Sequence, residues 1–562
     1  MNFKLCNRCV FAVFSCQNND GKKKAGWCSC CWFTYLFAVF LLILAWIYMC
    51  GAAFNDRDDF NWKAFQIINH WINWFMVALI ISLVLVVYAF LLLIFAVLLV
   101  LLKEPLVMHC MHKVLITLAL LISVSGIVAV YLGWFEELKT VSMFLQVTSP
   151  ILHIIGSVVV CLCSLFVFQQ FFMAKSKVSK VFIMLTYLII VAAVFLSPCY
   201  LEFLEISSPC LQENIPKKPA LIGHRGLPML APENTMMSFK KSMNCGVVAF
   251  ETDVLISTDG VPFLMHDDKS LKRTTNVDQK EKESSCFTWE DLQTLNAGAW
   301  FVERDPFYTV SSLSEADKTE AKNQSIPKLT ELLDLANQHN ISVIFDIKNM
   351  CACHPYYKNY TTQIVETINN SGIREELVWW LPSKNRSMVK KKAPGFKQVY
   401  GTEDEMKNDS GSRLNKKYSS LDSKEIMNYT QKNVSVNLYV VNEIWLFSMV
   451  WCMGATSVTT NACHLFQDME KPYIFHMAPK WYRIIWISVD CVLLLLILGF
   501  FFLQRHLNHK SKGKCLLLFL HDVWFFIVDN SFKLYLLPAA LSQLPYVTSP
   551  TTSKLNYCTS DK

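Results

Sequence analysis

Charge is scarce in this sequence. Of its 562 residues only 17% are Asp, Glu, Lys or Arg, against 53% hydrophobic, where soluble proteins carry roughly a quarter charged. That excludes a chain built only of soluble domains, so part of it must lie in lipid. The formal net charge of +7 is small for the length, the lysines gather in short clusters between apolar runs, and there is no nucleic-acid-binding motif. No nucleic-acid partner is therefore expected. A cleavable leader is missing as well: the first long apolar run, Trp32 to Ala53, starts behind Lys22-Lys23-Lys24. It reads as a membrane helix and signal anchor.

Four more apolar runs follow, roughly Trp74 to Leu102, Val114 to Trp134, Ile151 to Phe172 and Val181 to Leu201, and a sixth, Ile484 to Leu503, stands alone after a long polar stretch. Positive charge in short loops marks the cytosolic side. Lys4, Arg8 and the lysine triplet, Lys103 and Lys113, Lys175, Lys177 and Lys180, and Arg505, Lys510, Lys512 and Lys514 belong inside; the acidic first loop (Asp56, Arg57, Asp58, Asp59, Lys63) and third loop (Glu136, Glu137, Lys139) belong outside. The expected organisation is a cytosolic tail over 1–31, five membrane helices over 32–201, an extracellular or luminal domain over 202–482, a sixth membrane helix over 483–504 and a cytosolic tail over 505–562. Such a chain sits in the lipid bilayer of the plasma membrane or secretory pathway with both termini cytosolic. Asp490, inside the sixth run, is costly there and calls for a partner in the helix bundle. The run Leu516 to Val528 is too short to span and is expected to lie on the membrane.

Acceptor sites for N-glycans, Asn-x-Ser/Thr, stand at Asn323, Asn340, Asn359, Asn369, Asn385, Asn408, Asn428 and Asn433, all within the segment assigned to the exterior. The same segment holds Cys210, Cys245, Cys286, Cys351, Cys353, Cys452 and Cys463, with Cys199 at the membrane edge; up to three disulfides are expected, their pairing unreadable. In the tail, Cys6, Cys9, Cys16, Cys28, Cys30 and Cys31 have two readings, a zinc site or cytosolic thiols partly S-palmitoylated near the bilayer; the second is favoured.

Between Ala220 and Phe466 short apolar runs alternate with helical patterns. The runs are Ala220 to Gly223, Val247 to Val254, Val261 to Met265, Ile341 to Ile347, Leu377 to Leu381, Gln398 to Tyr400, Val434 to Val441 and Ser457 to Thr460; Thr235 to Asn244 and Lys328 to Gln338 are among the helices. This alternation predicts an α/β domain, a TIM-type (β/α)8 barrel, in which catalytic residues gather at the C-terminal ends of strands. His224, Glu251, Asp253, His266 and Asp346 fall at or near such ends. The polar stretch from Lys269 to Ser325 is too long for a barrel loop and reads as an insertion beside the site.

Several motifs in that domain carry a resemblance. Gly223-His224-Arg225-Gly226, Pro232-Glu233-Asn234-Thr235, Phe250-Glu251-Thr252-Asp253-Val254 and Val261-Pro262-Phe263-Leu264-Met265-His266-Asp267, followed in order by Phe345-Asp346-Ile347-Lys348, Asn437-Leu438-Tyr439-Val440-Val441-Asn442 and Val458-Thr459-Thr460-Asn461, together resemble the glycerophosphodiester phosphodiesterase family. The five-plus-one arrangement of apolar runs is similar to its six-transmembrane subgroup. The resemblance implies His224 and His266 as general acid and base, their order open, and a substrate whose own 2-hydroxyl attacks first, giving a cyclic phosphate that water opens. Asp346 stands where many members carry glutamate and Tyr439 where tryptophan is common, which leaves one ligand and one substrate contact open.

The residues support the same chemistry without the resemblance. Cleaving a phosphodiester requires neutralising the phosphate, activating a nucleophile and protonating a leaving alkoxide. Glu251 and Asp253, two apart on a strand, point to one face; with Asp346 they form a hard oxygen set suited to Mg2+ or Ca2+. The plainer reading of such a pair is a solvated strand edge or a salt bridge. An imidazole, with an ordinary pKa of about 6.5, can give or take a proton near neutrality; His266 could instead ligate the metal, and a buried histidine is often structural. Arg225 would clamp phosphate oxygens and Lys348 add a point charge, unless the arginine is only a surface pair. The expected function is metal-dependent hydrolysis of glycerophosphodiesters such as glycerophosphocholine or glycerophosphoinositol at the outer face. The alternatives are a phospholipase acting on lysophospholipids or glycosylinositol lipid anchors, and a catalytically weak receptor-like protein.

Overall fold

The computed structural model describes residues 11, 13–15, 27–68, 70–101, 106–133, 137–203, 208–277, 282–350, 352–474 and 477–510. Cys6, Cys9, Cys16, Cys351, several flanking charges and the run Leu516 to Val528 lie outside them, as do the side chains of Cys28 and Cys30. The chain divides into two compact units, one of residues 1–35, 91–113 and 505–562, the other of 36–90 and 114–504. In the first, the His109 amide donates to the Phe14 carbonyl at 3.2 Å. The barrel and the pocket described below belong to the second.

Six helices are long and apolar enough to cross a membrane, five before the large domain and one after it. They are α1 (Trp27–Ala53), α3 (Trp74–Leu101), α4 (Cys110–Gly133), α5 (Glu137–Met173), α6 (Lys177–Phe195) and α7 (Pro479–Lys510). Two of the loops expected between them are helical. The first folds as α2 (Arg57–Ile68). The third joins α5, whose 37 residues reach about 55 Å at 1.5 Å per residue, well beyond a hydrocarbon core of about 30 Å. Its outer turns meet the large domain: Thr140 Oγ1 lies 3.0 Å from the Tyr418 hydroxyl and Phe144 packs edge-on against Trp445 at 4.9 Å. Asp490 has its partners, with Oδ2 at 3.3 Å from His153 Nε2 and Oδ1 accepting from the Ser157 hydroxyl at 3.2 Å.

The large domain is a nearly closed barrel. Its strands are β1 (Ala220–His224), β2 (Ala249–Ile256), β3 (Pro262–Leu264), β4 (Ser342–Ile347), β5 (Val378–Trp380), β6 (Lys397–Gln398), β7 (Arg413–Lys417), β8 (Ser435–Tyr439) and β9 (Ser457–Thr460). Eight are parallel in the order β6-β5-β4-β2-β1-β9-β8-β7, and a single parallel bridge from Tyr400 to Leu414 draws the two ends together. One expected strand needs correction, and one barrel strand was not expected. Val261 to Met265 contributes β3, which pairs antiparallel with β2 off the barrel path, because the turn through Gly260 folds the chain straight back without the helix a parallel crossover requires. The eighth barrel strand is β7, Arg-Leu-Asn-Lys-Lys, which has no apolar run and buries only Leu414 and Asn415.

Side chains from alternate strand positions fill the interior, with Ile222, Ala249, Ile344 and Val399 forming one small cluster. The outward positions, among them Phe250 and Phe345, pack beneath the surrounding helices; burying each phenyl ring is worth roughly 1.5–3 kcal/mol. Between β1 and the helix Met236–Met243 the turn depends on Gly226, with φ +86°: a Cβ there would lie 2.5 Å from the Ser238 carbonyl carbon. Thr235 caps that helix, accepting from the Ser238 amide. Disulfides join Cys210 to Cys452 and Cys245 to Cys463, while Cys286 and Cys199 are free thiols. Cross-linking positions 242 residues apart removes on the order of 5 kcal/mol of unfolded-chain entropy.

Candidate active site

Strand register assembles the site. In the parallel ladders His224 is level with Glu251, and Asp253 with Asp346, so all four point from one end of the barrel. Glu251 and Asp253 lie in the middle of β2 rather than at its end, because β2 runs on to pair with β3; they are still level with the last residues of β1 and β4. Carboxylate oxygens of Glu251, Asp253 and Asp346 fall within 4.8 Å of one another. Asp253 is 1% exposed. The set therefore meets the basic requirement of a cation site, converging oxygens with little water to screen them.

Positive side chains are threaded between these acids. Lys348 Nζ contacts Asp253 Oδ1 at 2.8 Å and Asp346 Oδ2 at 2.6 Å. Arg225 directs Nε to Asp253 Oδ2 and Nη1 to Glu233 Oε1, both at 3.1 Å, and its backbone amide to Glu251 Oε2 at 3.1 Å. Its φ of +52° turns the backbone so that amide and guanidinium face the same acids. Asn234 Nδ2 donates to Asp253 Oδ2 at 2.9 Å. Burial works against an ionised Asp253, but Lys348 and then Arg225 outweigh it and hold the carboxyl well below the usual range. Glu251 moves the other way, pushed well up by burial and then by the charge of Asp253. Two cations thus stand among three carboxylates, and one acid is left without full compensation.

The histidines have different partners. His224 Nδ1 lies 2.6 Å from Asn461 Oδ1 and its Nε2 3.7 Å from Glu251 Oε2; burial, then the neighbouring Arg225, pushes its pKa down to about 3. His266 Nδ1 lies 2.8 Å from Asp267 Oδ1. Asp267 in turn receives Arg273 Nε on Oδ2 at 2.7 Å, and Arg273 also grips Glu233. Burial opposes the Asp267 charge, but Arg273 and the hydrogen bond from His266 overcome it and keep the carboxylate ionised. An acceptor-only carboxylate fixes the proton of His266 on Nδ1 and leaves Nε2 to face the pocket.

Every candidate named from the sequence around the barrel mouth is thus brought together: His224, His266, Arg225, Lys348, Glu251, Asp253 and Asp346. Four supporting residues were not singled out there. Glu233 and Asn461 lie inside quoted motifs and Asp267 follows His266, so a signal existed for each. Arg273 stands in the polar insertion, where nothing distinguishes it from any surface arginine. The insertion does lie beside the site, and Trp300 and Phe307 from it line the pocket with His224 and His266.

A model of the glycerophosphoryl diester phosphodiesterase family matches residues 224–463, the stretch that holds these residues. Human glycerophosphoinositol inositolphosphodiesterase GDPD2 is 41% identical over 90% of this chain and 94% of its own. Human glycerophosphodiester phosphodiesterase domain-containing protein 5 is 37% identical over 89% of this chain and 84% of its own. Domain-containing protein 4 of Macaca fascicularis is 36% identical over 84% and 80%. The likeness runs through the long apolar helices as well as the barrel, and at these identities across most of both sequences the chain belongs to the glycerophosphoryl diester phosphodiesterase family.

Proposed function

We propose that this chain hydrolyses glycerophosphodiesters at the outer or luminal face of a membrane, with a divalent cation held by Glu251, Asp253 and Asp346. The observation that carries the reading is the pair of imidazoles with unlike partners that line one pocket together with Arg225. His224, turned by a neutral amide, is the base that takes the proton of the attacking hydroxyl. His266, oriented by the Asp267 carboxylate on Nδ1, protonates the departing alkoxide from Nε2. One P–O bond forms and one breaks, and the proton lost by the nucleophile is balanced by the one delivered to the leaving alcohol.

The carboxylate set fits a hard cation such as Mg2+ or Ca2+: its donors are all oxygens, and Glu251 lacks a full counter-charge without one. Bound there, the ion would act as a Lewis acid on the phosphoryl oxygens. Arg225 orients the phosphate, and Lys348 bridges Asp253 and Asp346 and keeps Asp253 ionised. Of these substrates, glycerophosphoinositol is favoured by the activity for which the GDPD2 relative is named, with glycerophosphocholine as the comparison. A second reading, hydrolysis of lysophospholipids or glycosylinositol lipid anchors, draws on the contact between the barrel mouth and the loop that joins α1 to α3. A panel of soluble and bilayer-embedded phosphodiesters, with products identified, separates the two. Release of a phosphomonoester from the soluble diesters is the expected outcome; hydrolysis of the embedded lipids alone would favour the second.

The outward orientation draws on three supports: the loop charges, the disulfides Cys210–Cys452 and Cys245–Cys463, and exposure of all eight acceptor asparagines, Asn323, Asn340, Asn359, Asn369, Asn385, Asn408, Asn428 and Asn433. Glycosidase treatment of protein made in a secretory pathway is therefore expected to increase its gel mobility. An unchanged band would count against the orientation and leave the barrel chemistry standing.

A further inference from the structure

The loop between α1 and α3 was read from sequence only as an acidic flank, yet it forms a wall of the active-site pocket. Asn55 ties it to the loop after β8: its Nδ2 donates to the Val440 carbonyl at 2.9 Å, and its Oδ1 accepts from the Asn442 amide at 2.8 Å. Arg57 pairs with Glu443 at 2.6 Å. Trp62 Nε1 donates to Asp267 Oδ1 at 3.2 Å, and its ring stands edge-on to His266 at 5.6 Å. Asn442 also accepts from the Asn461 amide at 2.9 Å, and Asn461 holds His224. The loop therefore touches the supports of both histidines and is fixed in place by hydrogen bonds and an ion pair.

Arg225, Arg273 and the two histidines line the pocket together with Asp58, Asp59, Trp62 and Trp71, so donors and carboxyl oxygens share one space. Asp58 Oδ2 is sealed from solvent and accepts no hydrogen bond. A buried carboxylate oxygen in that condition is a standing demand for a donor. Phosphodiester oxygens, which only accept, cannot meet it, and Arg225 and Arg273 offer those oxygens donors in the same pocket. The group that reaches Asp58 is therefore the non-phosphate half of a substrate. A trimethylammonium group has no N–H or O–H to give, whereas a polyol has several, and its C–H faces suit the indole rings beside it.

We propose that Asp58, carried on this loop, is a specificity residue that accepts a hydrogen bond from a hydroxyl of a polyol alcohol in the substrate, such as a cyclic hexitol, and so selects polyol diesters over choline diesters. The inference rests on the phosphodiesterase reading above and adds to it which part of the chain reads the alcohol.

The test uses the full-length chain in detergent, with kinetics on glycerophosphoinositol and glycerophosphocholine for wild type, Asp58→Ala and Asp58→Asn. Losing a hydrogen bond to a buried carboxyl oxygen costs roughly tenfold. KM for the inositol diester is expected to rise by at least about that factor in Asp58→Ala and by less in Asp58→Asn, whose amide oxygen still accepts; KM for the choline diester should stay within about twofold, which also reports an intact fold. Equal effects on both diesters, or none on either, would overturn the proposal. If wild type turns over neither diester, the phosphodiesterase reading fails, and hydrogen–deuterium exchange with myo-inositol as probe then decides the inference alone. Slower exchange across 54–68 in wild type and not in Asp58→Ala supports it; no slowing in wild type overturns it.

Discussion

Replacing His266 with alanine is expected to lower kcat by about a thousandfold while leaving the thermal midpoint of the full-length chain within a few degrees. The magnitude follows from the role. A positioned general acid contributes typically 10²–10⁴ in rate, and His266 Nε2 is the ring nitrogen left to face the pocket once Asp267 occupies Nδ1 at 2.8 Å. The small cost in stability follows from packing: the imidazole has an exposed edge, with a side-chain exposure of 16%, and its removal leaves Asp267 still held by Arg273. The Asp267→Asn chain separates positioning from proton transfer. Its amide can accept the same Nδ1 hydrogen bond without the stabilising charge, so kcat should fall by less than in His266→Ala. A His266→Ala chain that keeps wild-type kcat would remove this residue from the chemistry.

Excess chelator is expected to abolish turnover, and added Mg2+ or Ca2+ to restore it. The cause lies in the charge balance of the acids. Lys348 and Arg225 supply two positive charges to Glu251, Asp253 and Asp346, and Arg225 is shared with Glu233. The residual negative charge is what lifts Glu251, already disfavoured as an anion by burial. Asp346→Asn is the mutational counterpart. Its side chain is 48% exposed, so the fold should tolerate the change, while the loss of one charged ligand should raise the cation concentration needed for half-maximal rate by roughly a hundredfold; changes in residues that merely orient ligands already cost 10–100-fold. Activity that persists in chelator, or an unchanged cation requirement in Asp346→Asn, would contradict the metal assignment.

Much of this site can be read from the sequence because its residues stand at, or level with, neighbouring strand ends. His224, Glu251, Asp253 and His266 lie within one β-α-β-β stretch, and each apolar run announces where its strand stops. What the sequence hides has physical reasons. An apolar run looks the same whether its strand pairs parallel or antiparallel, so Val261 to Met265 reads as a barrel strand although it forms the hairpin partner β3. The true eighth strand, β7, buries only Leu414 and Asn415 and carries polar residues at its other positions. Arg273 is far from the motifs in character, although it joins Glu233 to Asp267. Least legible of all is the contact of Asn55, Arg57 and Trp62 with the barrel. Those residues precede the motifs by four membrane helices, and only the three-dimensional fold brings them to His266.

The partition of roles between the histidines shows the same limit. Sequence supplies two imidazoles of equal standing. The asymmetry comes from a neutral amide on one, Asn461, and a carboxylate on the other, Asp267. The neighbouring residue in sequence, Asp267, supplies that partner for His266, while the partner of His224 comes from the far end of the domain.

The central claim is cation-dependent cleavage of a glycerophosphodiester by these side chains. Phosphorus NMR of the full-length chain incubated with glycerophosphoinositol tests it most directly, followed with added Mg2+ or Ca2+, with chelator, and with His266→Ala in place of wild type. The account predicts that the diester resonance converts to a phosphomonoester only for wild type with the cation; an unchanged diester in all three samples, or equal conversion in all three, would contradict it.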